Sequence, residues 1–391
     1  MLGRTRSAAR RLPCGILCVL VLSVLAPMTA AQAQMAAGGA PRIDESRLVA
    51  AMKAADFAGT LLIAQGDRIV FERAYGPAEP GVTAPHRLGR IWRWASVTKQ
   101  ITATLAMQEV AAGRLDLDQP IARYLPRSRA PHADILTPRM LMQHVSGLRH
   151  ADDFTPKDND GWPYFYTAPL GSPETGVTWC EGPTGKPDKV PPADFRYGDC
   201  DFIMMGAVLE AITGKTYAAL VKERIARPLG LRTVGMFPKT PSKLSRSAVR
   251  GFEGGKPESR AFHLANFGPA GALFGTTHDL LAFDRALMSG KLVPPAQRAV
   301  MWSGQPRYGY AALGQWSYDT ALKGCEGAGV HLVERRGHIG GVSLRNIILP
   351  ELDMVVIMTW NRGSAEEAFG EVWQQAGLTH DVLAAALCKA S

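Results

Sequence analysis

The chain has 391 residues, 46% of them hydrophobic and 20% charged, with a formal net charge of +9. That composition suits a globular protein with a large buried core, and it excludes a disordered, repeat or coiled-coil chain. Residues 1–34 carry four Arg and no acid, so the charge beyond them falls to +5. No Lys/Arg run interleaved with aromatics follows, and nucleic acid is not an expected partner.

Arg4, Arg6, Arg10 and Arg11 precede an apolar run from Gly15 to Ala26, and Ala31-Gln32-Ala33 has the spacing of a signal-peptidase site. Residues 1–34 therefore read as a signal peptide, and the mature chain is expected in the periplasm or the medium, with no membrane span after cleavage. Cys14 and Cys18 leave with the leader. Cys180, Cys200, Cys325 and Cys388 remain, free to form disulfides in any of the three pairings that four Cys allow. No CxxC pair or His cluster argues for a metal, and no cofactor is expected.

Gly59 to Tyr75 reads as a hairpin turning at Gln65-Gly66-Asp67. From Ser96 the pattern becomes helical, with Ile101, Leu105 and Ala112 at helix spacing and Gly113 as the stop. Residues 151–196, rich in Pro, Gly, Asp and aromatics, predict a long functional loop. Helices follow over Asp201 to Thr213, Tyr217 to Ala226 and Thr277 to Met288. The last third predicts strands over Val330 to Arg336, Val342 to Leu349 and Met354 to Trp360. Short links make these antiparallel, and Ala365 to Gln375 and Val382 to Ala390 close the chain as helices. The expected class is α+β: an antiparallel sheet built from both chain ends and flanked by helices, with a mainly helical region inserted. The catalytic domain is expected over 41–390, its sheet part about 41–95 plus 250–390 and its helical part about 96–249.

Ser96-Val97-Thr98-Lys99 is the first chemical signal. Residues i and i+3 share a helix face, so the Lys99 amine reaches the Ser96 hydroxyl, and a helix start supplies free N–H groups for an oxyanion. Alone the pattern is weak, because a helix-capping Ser followed by a solvated Lys has the same spacing. Tyr197-Gly198-Asp199 ahead of a helix and His338-Ile339-Gly340 at the end of a strand complete a three-part set. Tyr197 is a candidate proton relay and His338 an electrostatic support. Gly340 and Gly341 are expected to let substrate lie against the strand, and the N–H groups of Ser96 and Gly341 to form an oxyanion hole.

These three elements resemble those of penicillin-recognising serine hydrolases, and the chain resembles the β-lactamase-related superfamily, nearest to its class C and D-alanyl-D-alanine carboxypeptidase branch. Leu141-Met142-Gln143-His144-Val145-Ser146-Gly147-Leu148 looks like the family's Leu-Leu-x-His-Thr-Ser-Gly-Leu segment. Ile225-Ala226-Arg227-Pro228-Leu229-Gly230-Leu231 and Ala270 to Leu281 match two further family segments in the same order. The resemblance implies a β-lactamase/transpeptidase-like fold and a two-step acyl transfer, in which neutral Lys99, with Tyr197, takes the Ser96 proton. It departs at His338 and Ile339, where β-lactam-hydrolysing members carry Lys-Thr-Gly, and at Asp199, where Asn is usual.

Of the remaining residues, Asp199 is a candidate partner for Lys99. Arg336 shares the His338 face of its strand and is a candidate for a substrate carboxylate. Trp162 heads an aromatic run with two equal expectations, to line the cleft or to pack in the core of its own loop. His144 is expected to orient backbone beside the site. The expected substrate is a small molecule or short peptide, cell-wall peptide included. Esterase or D-amino-acid peptidase activity is preferred over β-lactamase activity and over a non-catalytic peptide- or protein-binding module.

Overall fold

The computed structural model describes residues 43–388 apart from 151–156, 159–160, 170, 172–174, 183–188, 239–247, 259–261, 326–328 and 364. The expected leader lies outside the described residues. Helix α1 (Glu45–Ala54) begins where the Asp44 carboxylate accepts the Arg47 N–H, the usual use of Asp at a helix start. Strands β1 (Gly59–Gln65) and β2 (Arg68–Tyr75) form the expected hairpin. Strand β3 (Trp92–Arg93) enters a single 3-10 turn, Ala95–Val97, which runs into helix α2 (Thr98–Ala111).

Helix α3 (Asp199–Thr213) starts directly after Gly198 and ends at Gly214, whose φ of 66° is left-handed. Strand β4 (Leu273–Gly275) pairs with β3, and helix α4 (Thr277–Met288) is capped by the Thr276 side chain accepting from Asp279 N–H. Strands β5 (Trp316–Thr320), β6 (Val330–Ile339), β7 (Val342–Leu349) and β8 (Met354–Trp360) follow, and helix α5 (Leu378–Leu387) closes the described chain. The expected helix after Tyr217 is cut short: α-helix over Tyr217–Val221 gives way to a π turn at Lys222–Ala226.

The main sheet has the order β2-β1-β8-β7-β6-β5, every neighbouring pair antiparallel. Strand β5, Trp316-Ser317-Tyr318-Asp319-Thr320, carries only a weak alternation and has no assigned bounds in the sequence reading. Side chains alternate across the sheet. Leu62, Val333, Leu344, Ile348 and Ile357 join the internal helices on one side. Leu61, Leu332, Ile347, Val356 and Met358 meet Leu48 of α1 and Leu383 of α5 on the other. Helices cover both faces, so β7 and β8 are buried along their whole length, which explains their nearly unbroken apolar sequence. The result is a three-layer α+β architecture whose sheet comes from both ends of the chain.

Two disulfides brace it: Cys180–Cys200, which ties residues 176–180 to the start of α3, and Cys325–Cys388, which ties the β5–β6 link to the end of α5. Strand β6 lies directly on the turn that carries Ser96. A Cβ on Gly337 would come within 2.4 Å of the Trp94 carbonyl oxygen.

Candidate active site

Ala95 takes a φ of +46° immediately before Ser96, a sparsely populated conformation that persists only where the surroundings hold it. Thr98 Oγ1 accepts the Leu273 N–H and pins the first turn of α2 to β4. Lys99, one turn along, is fully buried, and its Nζ donates to Ser96 Oγ (3.0 Å), Asp199 Oδ1 (2.7 Å) and Ala270 O (2.9 Å). An ammonium has three donors, and all three are directed at oxygen acceptors. Burial would raise the Asp199 carboxyl, but the charges of Lys99, His150 and Arg335 hold it below the ordinary range. His150, which sequence reading passed over, places Nε2 3.7 Å from Asp199 Oδ2.

Tyr197 reaches the same point from the loop before α3, its hydroxyl donating to Ser96 Oγ at 2.6 Å. The loop is hung on His144. Arg196 N–H donates to the His144 carbonyl (2.9 Å), Gly198 N–H to Nδ1 (3.3 Å), and the rings of His144 and Tyr197 lie 4.6 Å apart. Below them Asp201 accepts from Ser146 Oγ and lies 2.7 Å from His144 Nδ1. Burial, with the charges of Arg335 and Lys99, lowers His144 well below its usual range, and burial lifts Asp201 well above its own. Both shifts disfavour the charged form of each group, and Gly198 N–H donating to Nδ1 makes that nitrogen the acceptor. His144 orients backbone, as its sequence context suggested.

The cation that completes the set is Arg335. It is 1% exposed; Nη2 donates to Tyr197 Oη (2.8 Å) and Nε to the Ser96 carbonyl (2.9 Å). The sequence reading assigned this place to His338, three residues later. Alternation along β6 explains the correction: Val333, Arg335, Gly337 and Ile339 face the Ser96 side, whereas Leu332, Glu334, Arg336 and His338 face the other. His338 is exposed, and its Nδ1 shares a hydrogen bond with Ser343 Oγ (2.8 Å). Arg336 indeed shares its face, and is ion-paired to Glu334 and Glu371. Burial would lower the Arg336 guanidinium, but the two carboxylates push it up, so it is not poised for a substrate carboxylate.

Two further expectations change, and the alternatives for Trp162 narrow to one. The Gly341 N–H donates to the Glu258 carboxylate at 3.0 Å and does not face Ser96. Gly340 and Gly341 do lack room for a side chain, but against the protein interior: a Cβ on Gly340 would strike Glu258 Oε2 at 2.5 Å, and one on Gly341 the Phe252 nitrogen at 2.1 Å. Trp162 packs edge-to-face on Phe262 with centroids 4.7 Å apart, behind the hairpin tip. The two-residue link makes Ile339 and Val342 the closing pair of the β6–β7 hairpin. Alternation then turns the N–H of His338 toward the edge that β5 leaves uncovered beyond Glu334.

The Beta-lactamase family model matches residues 45–380. The chain belongs to the beta-lactamase family. It is 29% identical over 206 residues to the esterase EstB of Burkholderia gladioli, covering 47% of this chain and 48% of that protein. It is 26% identical over 251 residues to the D-alanyl-D-alanine-carboxypeptidase/endopeptidase AmpH of Escherichia coli K12, covering 61% of this chain and 59% of that one. These matches span roughly half the length of the curated relatives. A D-stereospecific amidohydrolase from Streptomyces sp. shares the fold, with a TM-score of 0.70 at 24% identity over 89% of this chain and 100% of that one.

Of the two cation-x-Gly stretches, Arg335-Arg336-Gly337 is the one whose cation reaches Ser96 and Tyr197, and His338-Ile339-Gly340 is not. A second Ser, His and Asp also meet: His331 lies 3.1 Å from Ser317 Oγ and 2.7 Å from Asp319 Oδ1. Ser317 is 3% exposed and built into β5, so this set presents no nucleophile to a substrate.

Proposed function

We propose that this protein is an exported serine hydrolase that cleaves carboxylic esters, and amides of similar shape, through a Ser96 acyl-enzyme. The observation that carries the reading is the continuous chain Lys99–Ser96–Tyr197–Arg335, linked at 3.0, 2.6 and 2.8 Å. Lys99 is committed to Asp199 and serves as a cation; the proton acceptor is Tyr197. In the reactive form Tyr197 has released its own proton, and Arg335 and Lys99 flank the phenolate. Ser96 Oγ bonds to the substrate carbonyl carbon as its proton passes to Tyr197. The N–H groups of Ser96 and His338 hold the oxyanion. Tyr197 then protonates the leaving oxygen or nitrogen as its bond to carbon breaks. Water gives a proton to Tyr197 as its oxygen bonds to the acyl carbon, and Tyr197 passes that proton to Ser96 Oγ as the acyl bond breaks, which releases the acid and restores Ser96.

Pairing of Arg336 with Glu334 and Glu371 favours substrates without a free carboxylate, which ranks esters and amides above carboxypeptidase substrates and β-lactams. Export is supported by the leader pattern and by two disulfides, which persist in oxidising compartments. No helix of the described residues is long and apolar enough to cross a membrane.

The test is labelling by a serine-directed phosphonate, with p-nitrophenyl acetate, a D-amino-acid amide, a D-Ala-D-Ala peptide and a chromogenic cephalosporin assayed side by side. Labelling lost in Ser96→Ala, with ester turnover the fastest, is expected. Equal labelling of Ser96→Ala, or no labelling of the folded chain, defeats the hydrolase reading and leaves a binding module. Faster cephalosporin turnover makes the protein a β-lactamase.

A further inference from the structure

A buried ion pair lies outside the reacting set, beside the hairpin tip. Arg93 sits on β3, three residues before Ser96. Its Nη1 donates to Glu258 Oε2 (2.9 Å) and to the Ile339 carbonyl (2.5 Å), and its Nη2 donates to Glu258 Oε1. Glu258 Oε2 also accepts the Gly341 N–H (3.0 Å), and Oε1 the Gly251 N–H (3.4 Å). The two side chains are 6% and 8% exposed. Gly340, at φ +55°, seats the hairpin tip on this pair, with no space for a Cβ between them.

We propose that Arg93 and Glu258 are positioning residues that set the spacing of the two oxyanion donors, an inference that rests on the acyl-enzyme reading above. One donor, the Ser96 N–H, follows Arg93 by three residues along a turn whose backbone is fixed at Trp94 and Ala95. The other, the His338 N–H, lies between two tie points on β6. Arg335 fastens one side to the Ser96 carbonyl, and Arg93 fastens the other at Ile339. Without the second tie, the Ile339 side chain would keep its apolar packing, but no hydrogen bond would fix its backbone to the nucleophile turn, and His338 could swing outward.

The chemistry of the pair fits this task better than it fits simple packing. A buried ion pair costs desolvation that apolar residues of equal volume avoid, so its presence is weak support for a purely stabilising role. Apolar residues could not hold a carbonyl and an N–H of the same hairpin at once. Burial alone would raise the Glu258 carboxyl; the Arg93 charge and the two backbone N–H groups keep it below its ordinary range. It is therefore a charged acceptor at neutral pH.

The experiment uses the full chain with p-nitrophenyl acetate and its thionoester, whose larger, weaker-accepting sulfur reports on the fit of the oxyanion hole. In Glu258→Gln we expect kcat on the ester to fall about 10- to 100-fold, less than the loss of a donor outright. KM should stay within about threefold, and the ester-to-thionoester ratio should fall with kcat. Arg93→Lys keeps the charge but loses the fork, and carries the same expectation should Glu258→Gln not fold. An unchanged ratio in the folded variants overturns the proposal and makes the pair a stability element alone. Failure of the underlying reading is visible separately, in the parent protein, as phosphonate labelling at a residue other than Ser96.

Discussion

Lys99 and Asp199 form a buried ion pair, Nζ to Oδ1 2.7 Å, with side chains 0% and 5% exposed. Asp199 stands where the family usually carries Asn, and the added negative charge changes what Lys99 can do. An amine whose donors are all engaged by a carboxylate, a carbonyl and the nucleophile is a poor base and a good electrostatic anchor.

Replacing Asp199 by Asn removes the counter-ion from a site that retains two cations, Lys99 and Arg335. Whichever group must lose a proton to activate Ser96 then loses it more readily. The acid limb of the kcat/KM profile should move to lower pH by about one unit, measured on a neutral ester. In the parent, Asp199 has a depressed pKa, so its stabilising effect is full above the unfolded value near 3.9 and fades only as pH falls through the lower folded value. Asp199 itself should therefore add no inflection to stability between pH 5 and pH 8.

Arg335 and His338 compete for one role, and their variants separate them. Arg335→Met should lower kcat/KM about 100- to 1000-fold, as loss of a preorganised donor does. His338→Ala alters only a side chain bonded to Ser343 and keeps the peptide N–H, so it should cost less than about tenfold. Tyr197→Phe should lose about 100- to 10,000-fold, the usual range for a general base. Steady-state kinetics on p-nitrophenyl acetate decides all three; a larger loss in His338→Ala than in Arg335→Met reverses the assignment.

Asp284 lies fully buried between α4 and the sheet, with Asn346 Nδ2 donating to its Oδ1 at 3.0 Å and Gln100 Nε2 approaching at 3.4 Å. Its second oxygen has no partner among the described residues. Burial pushes this carboxyl up to about 8 despite those two bonds. The folded state thus holds a proton that the unfolded state has lost above about pH 4, and stability should fall as pH rises from there toward 8. Asp284→Asn removes that slope. Its Tm should exceed the parent's by several degrees at pH 8.5 and by little or nothing at pH 4.5, as thermal melts at the two pH values would show.

The disulfides should separate stability from activity. On chain-entropy grounds, removing Cys325–Cys388 by paired Ser substitutions costs about 4 kcal/mol and removing Cys180–Cys200 about 3 kcal/mol. The first lies far from Ser96 in the fold and should leave kcat within about twofold at 25 °C. The second closes on Cys200, next to Asp199, and should lower kcat as well. Denaturant melts alongside ester assays test both.

Local features were legible in the order of the residues. Helix period placed Ser96 beside Lys99, turn residues marked the β1–β2 hairpin, and apolar runs marked β6, β7 and β8. Family segments marked Tyr197, Asp199 and His144, and the structure gathers all three about the Ser96–Lys99 pair. Two cation-x-Gly frames adjoin in Arg335-Arg336-Gly337-His338-Ile339-Gly340, however, and a strand shows one parity to each side. Which parity meets Ser96 depends on how β6 packs against the turn after β3, a contact across more than 230 residues of chain. The same holds for Arg93 and Glu258, brought together from 165 residues apart, and for Gly341, whose N–H turns inward because a carboxylate from another segment waits there. Spacing along a chain fixes neighbours within one helix or hairpin; only tertiary packing decides which face of a strand becomes the site.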